Sequence, residues 1–278
     1  MVTIVNGKSI SESIKENLCV YTSSLSDTIS FHIIYVGSDP VIDNFIKYKR
    51  IFGEALGVHV VIHYFKKNIT QEKLKKNIQN IDHIADAVIV QLPLPEHISS
   101  EDILNTISPD KDVDVLGSVS QEHFKNNTSL FFPPVAGSIV YILQHHGIHL
   151  DNKKIVVIGN GSLVGYPMSL WLDKNNHKYT MITKETNEHT KKQYIKEADI
   201  IISGAGVPHM ITKEMIKEGV VLIDAGTSES GKKVVGDIHP ECYQKASLVT
   251  PVPGGIGPMT IAILYQNIIS TYQNKHDK

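Results

Sequence analysis

Short apolar runs rich in valine and isoleucine alternate along this chain with longer amphipathic stretches, and that alternation constrains the fold more than any other feature. Runs such as Ala87-Val88-Ile89-Val90 and Ile200-Ile201-Ile202 lack the polar/apolar alternation of a strand with one wet face. Strands covered by helices on both faces read this way, so repeated βα units and parallel sheets follow. The pattern predicts strands at Ser30–Val36, Val58–Tyr64 and Ala87–Gln91, with helices at Pro40–Leu56, Gln71–Ile81 and Ser100–Thr106. Further on it predicts strands at Lys154–Ile158, Tyr179–Ile182, Ile200–Ser203, Val220–Asp224 and Ser247–Thr250. Helices are expected at Leu163–Asp173, Glu188–Glu197, Lys213–Glu218 and Pro240–Lys245.

A length of 278 residues allows about two domains of ordinary size. The stretch Pro133–Ser138 interrupts the pattern ahead of a helix at Ile139–His146, and a Pro/Gly-dense stretch precedes a last helix at Met259–Tyr272. The expected division is residues 1–137 plus 259–278 as one α/β domain, with the last helix returning to it, and residues 138–258 as a Rossmann-type domain. Lys and Arg number 27 against 29 Asp and Glu, a net charge of −2, which argues against a dedicated nucleic-acid binder. The two cysteines, Cys19 and Cys242, form no CxxC pair, which excludes a zinc ribbon or dithiol motif, and no metal ligands are assigned. No apolar stretch approaches the ~18 residues of a membrane span, and the first residues lack the basic-then-apolar order of a signal peptide. The expectation is a cytoplasmic protein without membrane or nucleic-acid partners.

The segment Lys153–Pro167 reads KKIVVIGNGSLVGYP: a buried strand runs into Gly159, Gly161 and Gly165, then into a helix. The spacing is one residue longer than GxGxxG, but the physics is shared. Glycines let the backbone approach a pyrophosphate, and the helix N-terminus supplies N–H groups and the positive end of a dipole. Asn160 and Val164 lie inside the same turn. The position expected to hold a ribose-binding acid has Thr183 and Lys184 instead, so Lys184 is placed to meet a 2′-phosphate. Ser203-Gly204-Ala205-Gly206 and Asp224-Ala225-Gly226-Thr227 put small residues at two further strand ends, where open α/β sheets bind ligands. The competing reading of all three is plain tight βα turns.

Three more motifs occur in order: Gln91-Leu92-Pro93-Leu94-Pro95, Pro109-Asp110-Lys111-Asp112-Val113-Asp114, and Thr250-Pro251-Val252-Pro253-Gly254-Gly255-Ile256-Gly257-Pro258-Met259-Thr260. Together with the glycine turn they resemble the bifunctional methylenetetrahydrofolate dehydrogenase/methenyltetrahydrofolate cyclohydrolase family. The resemblance runs from about Ile4 to the last helix. It implies two α/β domains flanking a cleft, the second a Rossmann-type dinucleotide-binding domain, in a homodimer. It also implies NADP-dependent oxidation of 5,10-methylenetetrahydrofolate to the 5,10-methenyl form, then hydrolysis to 10-formyltetrahydrofolate. The partners would be tetrahydrofolate derivatives and NADP, with NAD as the alternative cofactor.

Carried over position by position, the resemblance makes Lys49 the catalytic lysine, Gln91 its partner and Asp114 the carboxylate that reads the pterin. Phe45 stands where the family has a tyrosine, and Ile42 where it has a serine. Residues 45 and 49 share a helix face, so Phe45 would lie beside the substrate. Pro253, Gly254 and Gly255 are the loop residues assigned to substrate, and Gly159, Asn160, Gly161, Val164, Gly165, Lys184, Gly204, Gly226 and Thr227 are assigned to cofactor. A cis peptide is implied at Pro93 or Pro95. Asp110 and Asp112 read as turn and cap residues.

The chain departs from the family pattern at Val115 for glycine, at Asn160-Gly161 for Arg-Ser, and at Thr183-Lys184 for His-Ser or His-Arg. Without the arginine fork only the point charge of Lys184 remains, which predicts an NADP preference weaker than two cations would give. A dehydrogenase without the hydrolase activity, and a non-catalytic folate- or nucleotide-binding relative, stay open as alternatives. Retention of Lys49, Gln91 and Asp114 together argues against the second.

Overall fold

The computed structural model describes residues 1–230 and 233–276. In chain order its elements begin with β1 (Thr3–Ile4), α1 (Gly7–Thr22), β2 (Ser30–Val36), α2 (Pro40–Ala55), β3 (His59–Phe65), α3 (Gln71–Ile84) and β4 (Ala87–Val90). Next come α4 (Ser100–Leu104), α5 (Ser118–Lys125), α6 (Pro134–His145), β5 (Ile155–Ile158), α7 (Gly165–Lys174), β6 (Tyr179–Ile182), α8 (Glu188–Glu197) and β7 (Ile200–Ser203). The chain ends with β8 (Val220–Asp224), β9 (Ser228–Ser230), β10 (Lys233–Val235), β11 (Ala246–Val249) and α9 (Ile256–His276).

The chain divides into two compact units, one of Met1–Ser11 with Val135–Thr260 and one of Glu12–Pro134 with the chain from Ile261 onward. The pattern had put the crossings after 137 and 258, where the contacts put them after 134 and 260. The first residues group with the later stretch because β1 pairs in parallel with β11, through Thr3↔Leu248 and Ile4↔Val249. A strand of two residues offers no periodicity from which to place it.

In the unit containing Val135–Thr260, six parallel strands run in the order β1-β11-β8-β7-β5-β6. The central β5 and β7 are buried along their whole length, which explains their unbroken apolar sequence. β5 has β6 on one side and β7 on the other, so the turn leaving β5 opens at the point where the winding direction reverses.

The other unit holds a three-stranded parallel sheet, β3-β2-β4. Leu74, Ile78 and Ile81 of α3 pack on Ile34, Val36, Val88 and Val90. Beyond β4 the chain returns to the sheet: Val88 N–H donates to Lys111 O at 2.9 Å, and Val88 bridges Asp112 in parallel. This brings the Lys111–Asp114 stretch beside β4.

The pattern missed α1, α5 and the β9–β10 hairpin. For α1 the buried stripe is narrow, Ile10 and Ile14, but a cap signal existed: Asn6 Oδ1 accepts the Ser9 N–H at 3.0 Å. Helix α5 begins at Gly117 with no side-chain cap. The helices expected at Lys213–Glu218 and Pro240–Lys245 are short 3-10 turns, Lys213–Met215 and Pro240–Gln244. No helix among the described residues is long and apolar enough to cross a membrane.

Candidate active site

Helix α2 carries the lysine, and its start is closely specified. Asp39 caps it, its Oδ1 accepting the N–H groups of Val41 at 2.8 Å and Ile42 at 3.1 Å. Pro40 follows at the first helical position, and the Asp39 N–H donates to the Tyr35 hydroxyl at 2.6 Å, tying the cap to β2. Two turns along, Lys49 is half-buried and its Nζ donates to Gln91 Oε1 at 3.0 Å. Phe45, one turn earlier on the same face, is half-buried too.

Gln91 is the first residue after β4, held there by its own N–H donating to Ile34 O at 2.8 Å. Its side-chain Nε2 donates to Leu92 O at 3.0 Å, which turns Oε1 toward the ammonium. The Leu92–Pro93 peptide is cis. Asp114 follows the Lys111–Asp112 return to the sheet. Burial lowers the Lys49 pKa from its ordinary value, and the Asp114 charge offsets part of that. Burial raises the Asp114 pKa, and Lys49 offsets part of it in turn. Three residues far apart in sequence thus form one electrostatic group: an ammonium, a carboxylate and a neutral acceptor that orients the ammonium.

Asp112 builds the loop that carries Asp114. It is 1 % exposed, and its Oδ2 accepts the N–H groups of Leu116 at 3.0 Å and Gly117 at 2.8 Å. Burial is the main cause that raises its pKa to about 6. Val115, between the two aspartates and the helix, has φ +56°, a region that suits glycine and strains a β-branched residue.

The predicted cofactor residues gather at the carboxyl edge of the six-stranded sheet. Gly159 N–H donates to Ile182 O at 2.8 Å and Gly204 N–H to Ile158 O at 2.9 Å, which sets the turns after β5, β6 and β7 side by side. Several of the glycines are required by contacts within the protein. A Cβ on Gly165 would lie 1.7 Å from Gly159 O, one on Gly204 2.5 Å from the Val164 side chain, and one on Gly226 2.2 Å from the Asp237 carboxylate. A Cβ on Gly161 would meet open space, and Asn160, Thr227 and Lys184 are exposed. Val164 is 8 % exposed and packs on Gly204.

Sequence reasoning missed two buried aspartates behind this edge. Asp237 Oδ2 accepts from Ser203 Oγ at 2.7 Å and from Ala205 N–H at 2.8 Å, and its Oδ1 accepts from Val207 N–H at 2.9 Å. Asp224 accepts from the N–H groups of Gly226, Asp237 and Ile238, and burial first of all raises its pKa to about 7. Their signal was an aspartate within two residues of a glycine at each place, Asp224-Ala225-Gly226 and Gly236-Asp237. A third missed acid is Glu185, whose Oε2 accepts from Thr183 Oγ1 at 2.6 Å, with Lys184 Nζ 3.9 Å from its Oε1.

Pro253, Gly254 and Gly255 belong to the unit that holds this edge, not to the unit that holds Lys49, Gln91 and Asp114. Gly7 N–H donates to Gly254 O at 3.0 Å, and a Cβ on Gly7 would lie 1.8 Å from Gly255 O, so the stretch is locked onto the start of α1. The Val252–Pro253 peptide is cis.

A six-stranded parallel sheet with a glycine turn at its switch point defines a dinucleotide-binding α/β protein, here joined to a second α/β unit that holds a desolvated lysine. Family models agree with both halves. Residues 5–114 match the catalytic domain of tetrahydrofolate dehydrogenase/cyclohydrolase, and residues 133–276 match the NAD(P)-binding domain of the same family. The chain belongs to the tetrahydrofolate dehydrogenase/cyclohydrolase family. It is 36 % identical to the bifunctional protein FolD of Aquifex aeolicus, over 99 % of this chain and 97 % of that one. It is similar to the crystal structure of the bifunctional FolD enzyme of Campylobacter jejuni, with TM-score 0.93 and 32 % identity over 99 % of this chain and all of that one. The FolD enzyme of Trypanosoma brucei, solved with NADP cofactor and inhibitor, superposes with TM-score 0.92 at 26 % identity, over 99 % of this chain and 98 % of that one.

Proposed function

We propose that this protein oxidises 5,10-methylenetetrahydrofolate to 5,10-methenyltetrahydrofolate with NADP+ and then hydrolyses the methenyl product to 10-formyltetrahydrofolate. The observation that carries the reading is the Lys49 ammonium on the Gln91 side-chain carbonyl, at 3.0 Å, with the Asp114 charge acting on it. The family membership of both halves of the chain supports it.

The residues at the sheet edge fit a dinucleotide. The Gly159–Gly165 turn leads into a ten-residue helix, Gly161 faces open space, and the turns after β5, β6 and β7 adjoin. Gly159, Asn160, Gly161, Val164, Gly165, Gly204, Gly226 and Thr227 would hold it, with Lys184 toward a 2′-phosphate. When bound, the dinucleotide supplies the hydride acceptor for the first reaction.

Lys49 serves the second reaction as the proton-transfer group. Water adds to the methenyl carbon and the bond from that carbon to N5 breaks. Lys49 takes a proton from the water and returns one to N5, and a proton is released overall. Burial lowers the lysine pKa, which favours the neutral amine that can accept a proton. Gln91 holds the rotamer of the ammonium. Asp114 accepts from the 2-amino and N3–H donors of the pterin, a two-point contact, and the Phe45 ring stacks on it. The same reading makes the protein a cytoplasmic homodimer, a reading supported by the family resemblance and, for a reducing compartment, by the unpaired Cys19 and Cys242.

The test is to mix the protein with methylenetetrahydrofolate and NADP+ and follow the absorbance of the methenyl product as it rises and decays. No rise refutes the dehydrogenase, and a rise without enzyme-dependent decay leaves a dehydrogenase alone. Lys49→Met is expected to slow the decay by at least ~10²-fold while dinucleotide binding is kept.

A further inference from the structure

Helix α9 lays two buried side chains on the backbone carbonyls next to the site residues. The Tyr265 hydroxyl donates to the carbonyl of Lys49 itself, at 2.7 Å. Asn267 Nδ2 donates to the carbonyl of Val113, the residue before Asp114, at 2.8 Å. Both side chains are sealed from solvent, Tyr265 at 0 % and Asn267 at 4 % exposure.

Each contact is over-determined. Asn267 also donates to Phe132 O at 2.8 Å and accepts the Phe132 N–H at 3.2 Å, which fixes the direction of its amide. The Tyr265 ring stacks on Phe52 at 5.2 Å and meets the edge of Phe31 at 5.8 Å, which ties it to α2 and β2 together. Gly53 lies buried within α2, where glycine is unfavourable relative to alanine. A Cβ there would stand 2.2 Å from the Tyr265 hydroxyl oxygen, so this glycine is what admits the phenol to the helix backbone.

Lys49 and Asp114 sit on separate segments, a helix and a loop, and act on one another by charge. Their separation is set by what packs on both segments, and α9 does so through hydrogen bonds at each. We propose that Tyr265 and Asn267 are positioning residues, which hold Lys49 and Asp114 at their working separation and act on the folate chemistry through those two groups. The proposal rests on the assignment of Lys49 and Asp114 to that chemistry.

The test uses the whole protein with Tyr265→Phe, Asn267→Leu, Phe52→Leu and Lys49→Met measured side by side. Tyr265→Phe and Asn267→Leu are expected to lower kcat for methenyl hydrolysis by ~10-fold to the ~10²-fold that a 1 Å misplacement costs. The pH limb that reports Lys49 should move to higher pH, as a displaced ammonium regains water. KM for the dinucleotide should stay at its wild-type value. Phe52→Leu disturbs the ring stack without removing a hydrogen bond, so it should lower the thermal midpoint and leave the pH limb in place. Tyr265→Phe loses one oxygen and keeps its ring, so it decides the matter if Asn267→Leu does not fold. Lower thermal stability with wild-type kcat and pH limb in Tyr265→Phe overturns the proposal, provided Lys49→Met has lost hydrolysis. Normal hydrolysis by Lys49→Met overturns the site assignment itself, and the proposal with it.

Discussion

Replacing Gln91 with leucine tests whether that residue works through the lysine. The substitution keeps a similar volume and deletes the oxygen that accepts from Lys49 Nζ at 3.0 Å. A hydrogen bond to a charged group contributes about 1.5–3 kcal/mol. Taken at its lower end, about 1.5 kcal/mol, the loss is roughly tenfold in rate. The same deletion removes an acceptor that favours the charged amine, so the Lys49 pH limb should move to lower pH. The assay is the decay of methenyltetrahydrofolate absorbance from pH 6 to 9 in the wild type, Gln91→Leu, Lys49→Met and the double variant. With no ammonium left to orient, Gln91→Leu should add almost nothing to Lys49→Met, so the coupling energy should nearly equal the whole single-variant effect. A full tenfold further loss in the double variant would mean that Gln91 touches the substrate directly, and the reasoning would be refuted.

Asp114→Ala should weaken folate binding by about 1.5–3 kcal/mol and leave NADP affinity unchanged in a binding titration; a fall in dinucleotide affinity instead would show that the two ligands are misplaced. Lys184→Ala should raise KM for NADP and barely move that for NAD, while Glu185→Gln, which frees Lys184 from the carboxylate 3.9 Å away, should raise NADP use relative to NAD; steady-state kinetics with both cofactors decides. His32 is 5 % exposed and shares a 2.9 Å contact with His63, and burial above all lowers its pKa from 6.5 to about 4. The native state therefore binds fewer protons than the unfolded chain below pH 6.5, so stability is fully present above that pH and is lost as pH falls through about 4. The loss should reach about 3 kcal/mol in denaturant titrations, and His32→Phe should lose that much less; parallel pH profiles for the two proteins would refute it.

The sequence determined the class of fold, and in places the residue bounds of its elements. Ser30–Val36, Ile200–Ser203 and Val220–Asp224 are strands over the residues that the apolar runs predict, because a strand covered on both faces writes its burial directly into consecutive residues. Tyr179–Ile182 keeps its predicted bounds too, although it is the edge strand and only Ile182 is buried. The glycine turn and the shared face of Phe45 and Lys49 were legible for the same kind of reason, since local geometry limits which residues fit there. Periodicity reports only which way a side chain faces, not what it meets. That is why the place of β1 needed the free edge of β11, and why the glycines at 165, 204 and 226 proved to be required by neighbours within the protein. Only the tertiary structure brought residues 49, 91 and 114 into one electrostatic group, through the parallel register of β2 with β4 and the return of Lys111–Asp112 to that sheet. The hydrogen bonds from Tyr265 and Asn267 reach across 216 and 154 residues of chain. Contacts at such separations depend on how whole elements pack, and no local pattern of residues encodes them.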